Sequence, residues 1–374
     1  MPIKLLVISN YNAFVTVRPE AEILIGLQQT SRYDITVMTF GDSEYARRFR
    51  QSGIRVIDFH PLKKFSWKYV RLIRQELLDG QYDILQLFNN KAIVNGIQAA
   101  RGLPVKVVVY RGYTGNISWL DPFMYLKYLS PRVDRIICLV EAIRQLFRKN
   151  LLVNKDKAVT INKGHDLGWY DQVQAVSTES LGLPTDAFTF ICAANSRRMK
   201  GIKYLLKATY LLPADTRIHL LLAGRDMDVP AFRNLIDGSP IKNNIHLLGF
   251  QNDILPIVKA CNVFVLPSIK GEAITKAVIE AMSLAVCPLI TDIPGNNGLV
   301  LDQVCGRVVP SKKSKALAEV MLALAREPGL CREYGLAAQE HIRKNFNVRD
   351  TVVKYNELYH ELYQEVKAAE RTAP

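Results

Sequence analysis

The sequence lacks the signals that most directly reveal a function. No G-x-G-x-x-G follows any apolar run, which argues against a dinucleotide-dependent dehydrogenase. The cysteines Cys138, Cys192, Cys261, Cys287, Cys305 and Cys331 stand singly, with no C-x-x-C and no cysteine–histidine cluster at zinc spacing. Free, partly buried thiols are expected, in place of disulfides or a metal. No apolar run approaches the roughly 18–20 residues that span a bilayer. The opening "MPIKLLVISN" reads as one short strand entering a polar turn, without the regions of a secretory signal. A cytosolic location is expected. No short-period repeat or low-complexity tract is visible.

What is present is a chain of 374 residues, 49% hydrophobic, long enough for two well-packed domains. Its net charge of +14 is uneven: residues 1–170 hold 25 Lys/Arg against 14 Asp/Glu, or +11, leaving +3 for the rest. A basic half can meet nucleic acid, anionic lipid or an acidic substrate, and charge alone does not choose among them.

Short β-rich runs alternate with helical stretches from the start: "KLLVIS", "YDITVMTF", "RVIDF", "YDILQLF", "VKVVVY" and "DRIICLV". That rhythm predicts an open parallel sheet. Helices are expected over 19–30, with Pro19 as first helical residue, and over 66–79 and 141–150. A turn-rich segment follows "KAVTINKGHD", and the rhythm restarts at "FTFICAAN" with "RIHLLLAG", "NIHLLGF", "VFVLPS", "CPLITD" and "GRVVP". The expected division is a first domain over 1–170, a linker over 171–186, a second domain over 187–348 and a long amphipathic helix over 349–374. Two such α/β domains in sequence predict an interdomain cleft lined by the carboxyl ends of both sets of strands.

The segment "GEAITKAVIEAM", Gly271 to Met282, places Glu272 on a loop and Glu280 in the second turn of a helix whose cap is expected at Thr275. The free N–H groups of residues 275–278 make a natural diphosphate site. One carboxylate can meet sugar hydroxyls and the other can accept two hydrogen bonds from a ribose. Upstream, "AANSRRMKG" puts Arg197, Arg198 and Lys200 in the turn after a strand, where they can neutralise a departing diphosphate. Taken alone, each feature also fits a plain solvated turn or an ordinary helix glutamate.

The order of "N-x-R-x-x-K-G" (Asn195 to Gly201), "LLLAG" (Leu220 to Gly224), "HLLGF" (His246 to Phe250), "NVFVLPS" (Asn262 to Ser268), "E-x7-E-A-M" (Glu272 to Met282) and "ITDIPGN" resembles retaining glycosyltransferases of family 4, which have the GT-B fold. The match covers about residues 188–310. "YDILQLF", "VDRIICLV" and "TINKGHDLGWY" match more loosely in the first half. The resemblance implies two Rossmann-like domains, with the final helix crossing back to the first.

It also implies a donor site in which Glu272 meets the sugar hydroxyls, Glu280 holds the ribose, and Arg197 and Lys200 bind the diphosphate. Gly271, Ala273, Ile274, Thr275, Lys276 and Gly224 belong to that site, and Gly249 and Phe250 open the segment that meets the base. In that fold the first domain holds the acceptor, with Asn10, Arg18 and Tyr113 in the region implied for it.

Three departures stand out. The first strand-to-helix turn, "SNYNAFVTVRPEAE", has no glycine; Arg111 replaces the usual histidine; and Gly298 replaces a common glutamate. Arg111 can bind phosphate or sugar hydroxyls but cannot act as a base. "DMD", Asp226 to Asp228, resembles the D-x-D metal motif of the other large glycosyltransferase fold. It follows "LLLAG", however, where family 4 binds no metal, so no metal cofactor is expected. His165 is expected to be structural and Asp166 a turn cap.

The stretch "HPLKKFSWKYVRLIRQELL" interleaves Lys63, Lys64, Lys68, Arg71 and Arg74 with Phe65, Trp67, Tyr69 and Leu72. A helix there presents a basic, aromatic face suited to an anionic membrane, unless the aromatics pack inward.

The leading expectation is transfer of a sugar from a nucleotide donor, UDP- or GDP-linked, to a glycan or lipid-linked acceptor in lipopolysaccharide or exopolysaccharide synthesis, by a peripheral enzyme at the cytoplasmic face of the inner membrane. A nucleotide-sugar epimerase, a phosphorylase and a non-catalytic basic binding protein remain as alternatives. No nucleic-acid partner is expected, since no nucleic-acid motif appears.

Overall fold

The computed structural model describes residues 2–115, 117–296 and 298–372; residues 373 and 374 of the expected final helix lie outside them. Contacts group the chain into two compact units, residues 1–164 with 346–374, and residues 165–345.

In unit 1 the strands are β1 (Ile3–Ile8), β2 (Tyr33–Thr39), β3 (Arg55–Asp58), β4 (Ile84–Leu87), β5 (Lys106–Arg111), β6 (Arg135–Cys138) and β7 (Ala158–Thr160). They pair in parallel in the order β3-β2-β1-β4-β5-β6-β7. The near-continuous burial of β1, β4 and β5 explains their unbroken apolar runs, since both faces of the sheet are covered. The helices are α1 (Phe14–Gln29), α2 (Glu44–Gln51), α3 (Trp67–Gly80), α4 (Asn90–Ala99), α5 (Pro122–Tyr125) and α6 (Glu141–Asn150). Right-handed crossovers put α1 and α2 on one face and α3 to α6 on the other.

Unit 2 holds β8 (Phe188–Ala193), β9 (Ile218–Ala223), β10 (Ile245–Gly249), β11 (Val263–Leu266), β12 (Cys287–Thr291) and β13 (Arg307–Val309), all parallel, in the order β10-β9-β8-β11-β12-β13. Around it lie α7 (Ile202–Thr209), α8 (Pro230–Asp237), α9 (Leu255–Ala260), α10 (Lys276–Ser283), α11 (Ser314–Arg326) and α12 (Pro328–Asn345). Its core joins Phe188, Phe190, Leu220, Leu222, Val263, Val265 and Leu289 to Leu205, Leu317 and Met321. With two parallel sheets and their helices, the molecule has the expected two-domain α/β architecture.

The last helix, α13 (Val348–Thr372), belongs to unit 1, where it packs on α1. Tyr33 donates to Asn356 Oδ1 at 2.9 Å and Tyr359 to Gln86 Oε1 at 2.9 Å.

Three expectations are corrected. The helix expected from Pro19 begins at Phe14, with Pro19 inside it. Pro19 removes only the bond to Val15, just beyond a first turn tied by Thr16 and Val17 N–H to Ala13 O, and Phe14 stacks on Tyr45 at 4.8 Å. The division between units falls at Gly164, ahead of residue 170. A Cβ on Gly164 would lie 2.3 Å from the backbone oxygen of Asn347, so this segment packs within unit 1. The segment 171–186 is no free linker. Lys259 Nζ donates to Val173 O at 2.7 Å and Val176 N to Pro256 O at 3.3 Å, tying it to unit 2.

Candidate functional site

In unit 2, loops follow the carboxyl ends of β8 to β12, the edge where open parallel sheets bind ligands. Their backbones interlock tightly. The turn after β8 passes through a short 3-10 turn at Arg198–Lys200 and reaches Gly201 at φ 69°. There a Cβ would lie 1.9 Å from Pro267 O. Ile269 N–H donates to Met199 O at 2.8 Å, so the basic turn is held against the end of β11. Gly295, after β12, approaches Glu272 so closely that a Cβ would lie 1.7 Å from its carbonyl oxygen. Ile274 donates its N–H to Gly295 O at 3.0 Å while adopting φ 37°. A β-branched residue is strained in that region. The loop bearing Glu272 is therefore fixed on both sides.

These backbones bring four charged side chains together as two pairs. Lys200 Nζ lies 2.6 Å from Glu272 Oε1, which also accepts from Ser268 Oγ at 3.0 Å. Lys276 pairs with Glu280 one turn along α10, and both glutamates are largely shielded from solvent. Thr275 is the residue before the helix, as expected, but its hydroxyl makes no cap bond. That buried oxygen has no partner among the described residues. Val278 N–H is the first in the helix to bond, to Thr275 O, which leaves the N–H groups of Lys276 and Ala277 without a partner among the described residues. Free N–H groups, an unpartnered hydroxyl and two lysines converge where the helix dipole favours an anion.

Arg197, exposed at the start of the 3-10 turn, has no ion pair among the described residues. Beside the basic turn a cavity of about 390 Å³ is lined by Ala194, Asn195, Gly224, Phe250, Gln251 and Ile254. Gly224 N–H donates to Gly249 O at 2.7 Å across its floor. Two contributors were not singled out from the sequence. Arg225, also lining the cavity, lies over the exposed ring of Phe250 at 4.8 Å. Asn296 is buried beside Gly295, with its Oδ1 unpartnered among the described residues and its Nδ2 donating to Thr291 O. An exposed aromatic beside "AGRD" and an asparagine in "IPGN" were the available signals. Gly298 has φ 80°, and His341 Nε2 lies 3.0 Å from its carbonyl oxygen.

In unit 1 the acceptor-region residues follow β1 and β5. Asn10 Oδ1 accepts from Asn12 N at 2.9 Å, and Arg18 lies over Phe14 within α1. Arg111 is 2% exposed. Its Nε donates to Tyr113 O at 3.0 Å, and its guanidinium lies 3.5 Å from the Tyr113 ring centre and 4.9 Å from that of Tyr128. The charge expected to face a substrate is enclosed by two aromatic rings.

Among the described residues no group of three or more His, Cys, Asp or Glu could hold a metal. Asp228 of "DMD" pairs with Arg233 at 3.5 Å. Asp166 caps the following 3-10 turn by accepting from Gly168 N at 2.9 Å, and His165 is buried beside Trp169. All six thiols are free and buried. No helix is long and apolar enough to cross a membrane among the described residues.

Comparison with known proteins bears on the family and the fold. Residues 174–341 match the model of glycosyl transferases group 1, and residues 21–169 that of glycosyltransferase family 4. The UDP-Gal:alpha-D-GlcNAc-diphosphoundecaprenol alpha-1,3-galactosyltransferase of Escherichia coli is 25% identical over 77% of each chain. The N,N'-diacetylbacillosaminyl-diphospho-undecaprenol alpha-1,3-N-acetylgalactosaminyltransferase of Campylobacter jejuni is 26% identical over 90% of this chain and 93% of its own. The crystal structure of Anabaena Alr3699/HepE in complex with UDP and glucose superposes with a TM-score of 0.74 at 19% identity, covering 96% of this chain and all of that one. The chain is a glycosyltransferase of family 4, with the GT-B fold.

Proposed function

We propose that the enzyme transfers a hexosyl group, with retention of anomeric configuration and without a metal, from a UDP- or GDP-sugar to a hydroxyl of a lipid-linked envelope glycan. The observation that carries this reading is the cradle at the start of α10, where two lysine–glutamate pairs flank free N–H groups and an unpartnered hydroxyl. A bound diphosphate would draw Lys200, with Arg197, onto its oxygens. That releases Glu272 to accept from the sugar hydroxyls, and Glu280 holds the ribose. Lipid-linked acceptors fit the undecaprenyl-linked substrates in the names of the two relatives and the basic surplus of unit 1. Peripheral contact with an anionic inner membrane from the cytoplasmic side follows from the same reading.

In the transfer, the bond from the anomeric carbon to the diphosphate oxygen breaks as the acceptor oxygen bonds to that carbon on the same face. The acceptor proton passes to a diphosphate oxygen, so no protein base is required. Lys200, Arg197 and the N-terminus of α10 stabilise the charge on the leaving group. Loss of one such charge-assisted contact costs about 1.5–3 kcal/mol.

Donor turnover tests the proposal. Glu280→Ala is expected to raise the donor KM about 10- to 100-fold, and Lys200→Ala to lower kcat. NMR of the product is expected to show the donor's anomeric configuration. Unchanged affinity and rate in Glu280→Ala would overturn the site assignment, and an inverted product the mechanism.

A further inference from the structure

Unit 1 carries an apolar surface that the donor chemistry does not use. Leu120 (71% exposed), Phe123 (67%) and Trp119 (50%) stand out from the segment after β5, and Leu152 (68%) and Val153 (78%) from the segment after α6. Single exposed apolar residues need no explanation, but a cluster of large ones does.

The two segments form one protrusion. Trp119 N–H donates to Asn150 Oδ1 at 3.2 Å, and Asn150 Nδ2 in turn donates to Leu146 O at 2.8 Å. Beneath them the rings of Tyr128 and Phe147 meet at 5.5 Å, and Lys157 Nζ donates to Ser130 O at 3.1 Å. Phe123 is held outward by a capped turn, with Pro122 in its first position and Asp121 accepting from Phe123 N at 2.9 Å.

The rim of this protrusion is basic. Its segments carry Lys127, Arg148, Lys149 and Lys155 against Asp121, engaged as a cap, and Asp156, which lies 3.5 Å from Arg148. A second basic and aromatic stretch of unit 1 lies at the start of α3, where Trp67 is 63% exposed and meets Phe65 edge-on at 5.1 Å, with Lys63, Lys64 and Lys68 next to them in the chain. Phe65 and Trp67 do not pack inward, whereas Tyr69 meets Phe59 edge-on at 5.6 Å.

We propose that Trp119, Leu120, Phe123, Leu152 and Val153 form a wedge that inserts into the headgroup region of an anionic lipid bilayer, with the surrounding lysines on the lipid phosphates. An apolar tip inside a cationic rim matches a bilayer, where the tip reaches the acyl boundary as the rim meets negative charge. The tryptophan suits that boundary, being apolar in body with a polar N–H. The assignment rests on the lipid-linked acceptor proposed above, and it names the surface that brings the enzyme to it.

The test uses the full chain with phosphatidylcholine vesicles, with and without phosphatidylglycerol. The wild type is expected to co-sediment with the anionic vesicles. In a Trp67→Phe/Trp169→Phe background, Trp119 fluorescence is expected to shift to the blue on binding. Leu120→Ser/Phe123→Ser and Leu152→Ser/Val153→Ser should each weaken partitioning by about tenfold or more. Because the substituted side chains are exposed, melting temperature and the thermal shift given by UDP or GDP, which reads unit 2, should match the wild type. A wild type that ignores anionic vesicles, or variants that bind them as well as it does, would overturn the wedge. So would variants that dissociate a wild-type dimer while still binding vesicles, since the surface would then be a protein interface. If no nucleotide shifts the melting of any form while the vesicle result holds, the donor reading fails and the wedge stands.

Discussion

At the scale of single residues, Thr275 separates a ligand-binding role from a structural one. Its buried hydroxyl has no partner among the described residues, so replacing it by valine removes a polar group that they leave unsatisfied. Thr275→Val is expected to keep or slightly raise the melting temperature while weakening UDP or GDP binding roughly 3- to 10-fold, measured by calorimetric titration alongside thermal unfolding. A capping threonine would behave in the opposite way, losing about 1 kcal/mol of stability. The roles assigned to Glu272 and Glu280 were legible because their spacing and the strand before them fix where a helix begins. That Glu272 would sit against a lysine was not, because Lys200 arrives from a different loop. Arg111 shows the same limit: its charge is plain in the sequence, but the two tyrosines that enclose it are set by tertiary packing.

At the scale of elements, the site depends on loops fitted backbone to backbone. Gly201→Ala meets both a left-handed φ and Pro267 O at 1.9 Å, with no side chain free to yield. It is expected to cost about 2 kcal/mol or more and to lower the melting temperature of unit 2 by roughly 5 °C. Donor affinity should fall with it, because the turn that moves carries Arg197 and Lys200; calorimetry with and without UDP measures both effects. The alternation of strands and helices was readable along nearly the whole chain, since strands buried on both faces need unbroken apolar runs. Boundaries were less readable. Pro19 looks like a helix start, yet the stacking of Phe14 on Tyr45 supports an earlier turn that no local preference announces. Ile274 is a further case, since its φ of 37° would favour glycine and the sequence alone gives no hint of the strain.

At the scale of the whole molecule, α13 is held to unit 1 by charge as well as by apolar contact. Glu365 lies 2.7 Å from both Lys106 and Arg135, and Arg135 also meets Glu361. Burial alone would raise the Glu365 pKa, but the Lys106 hydrogen bond and the Arg135 charge outweigh it and hold it below the usual value. The unfolded chain therefore binds the proton more readily, so this stabilisation is present above about pH 4.3 and is lost as pH falls through the folded value. His60 acts at higher pH. Burial, with the nearby charge of Lys91, lowers its pKa to about 4, so unit 1 loses stability from about pH 6.5 downward through that value. Thermal unfolding from pH 7 to pH 3 is expected to show both losses, and Glu365→Gln to flatten only the part below about pH 4.3. The amphipathic pattern of α13 was visible in the sequence, but its partners lie more than two hundred residues away along the chain. That separation constrains how the protein is made. The whole of unit 2 leaves the ribosome before Tyr355, Tyr359 and Leu362 can cover the face of unit 1 they bury, so residues 1–164 are made ahead of unit 2 yet complete their core after it, and wait, exposed to misassembly, while unit 2 folds.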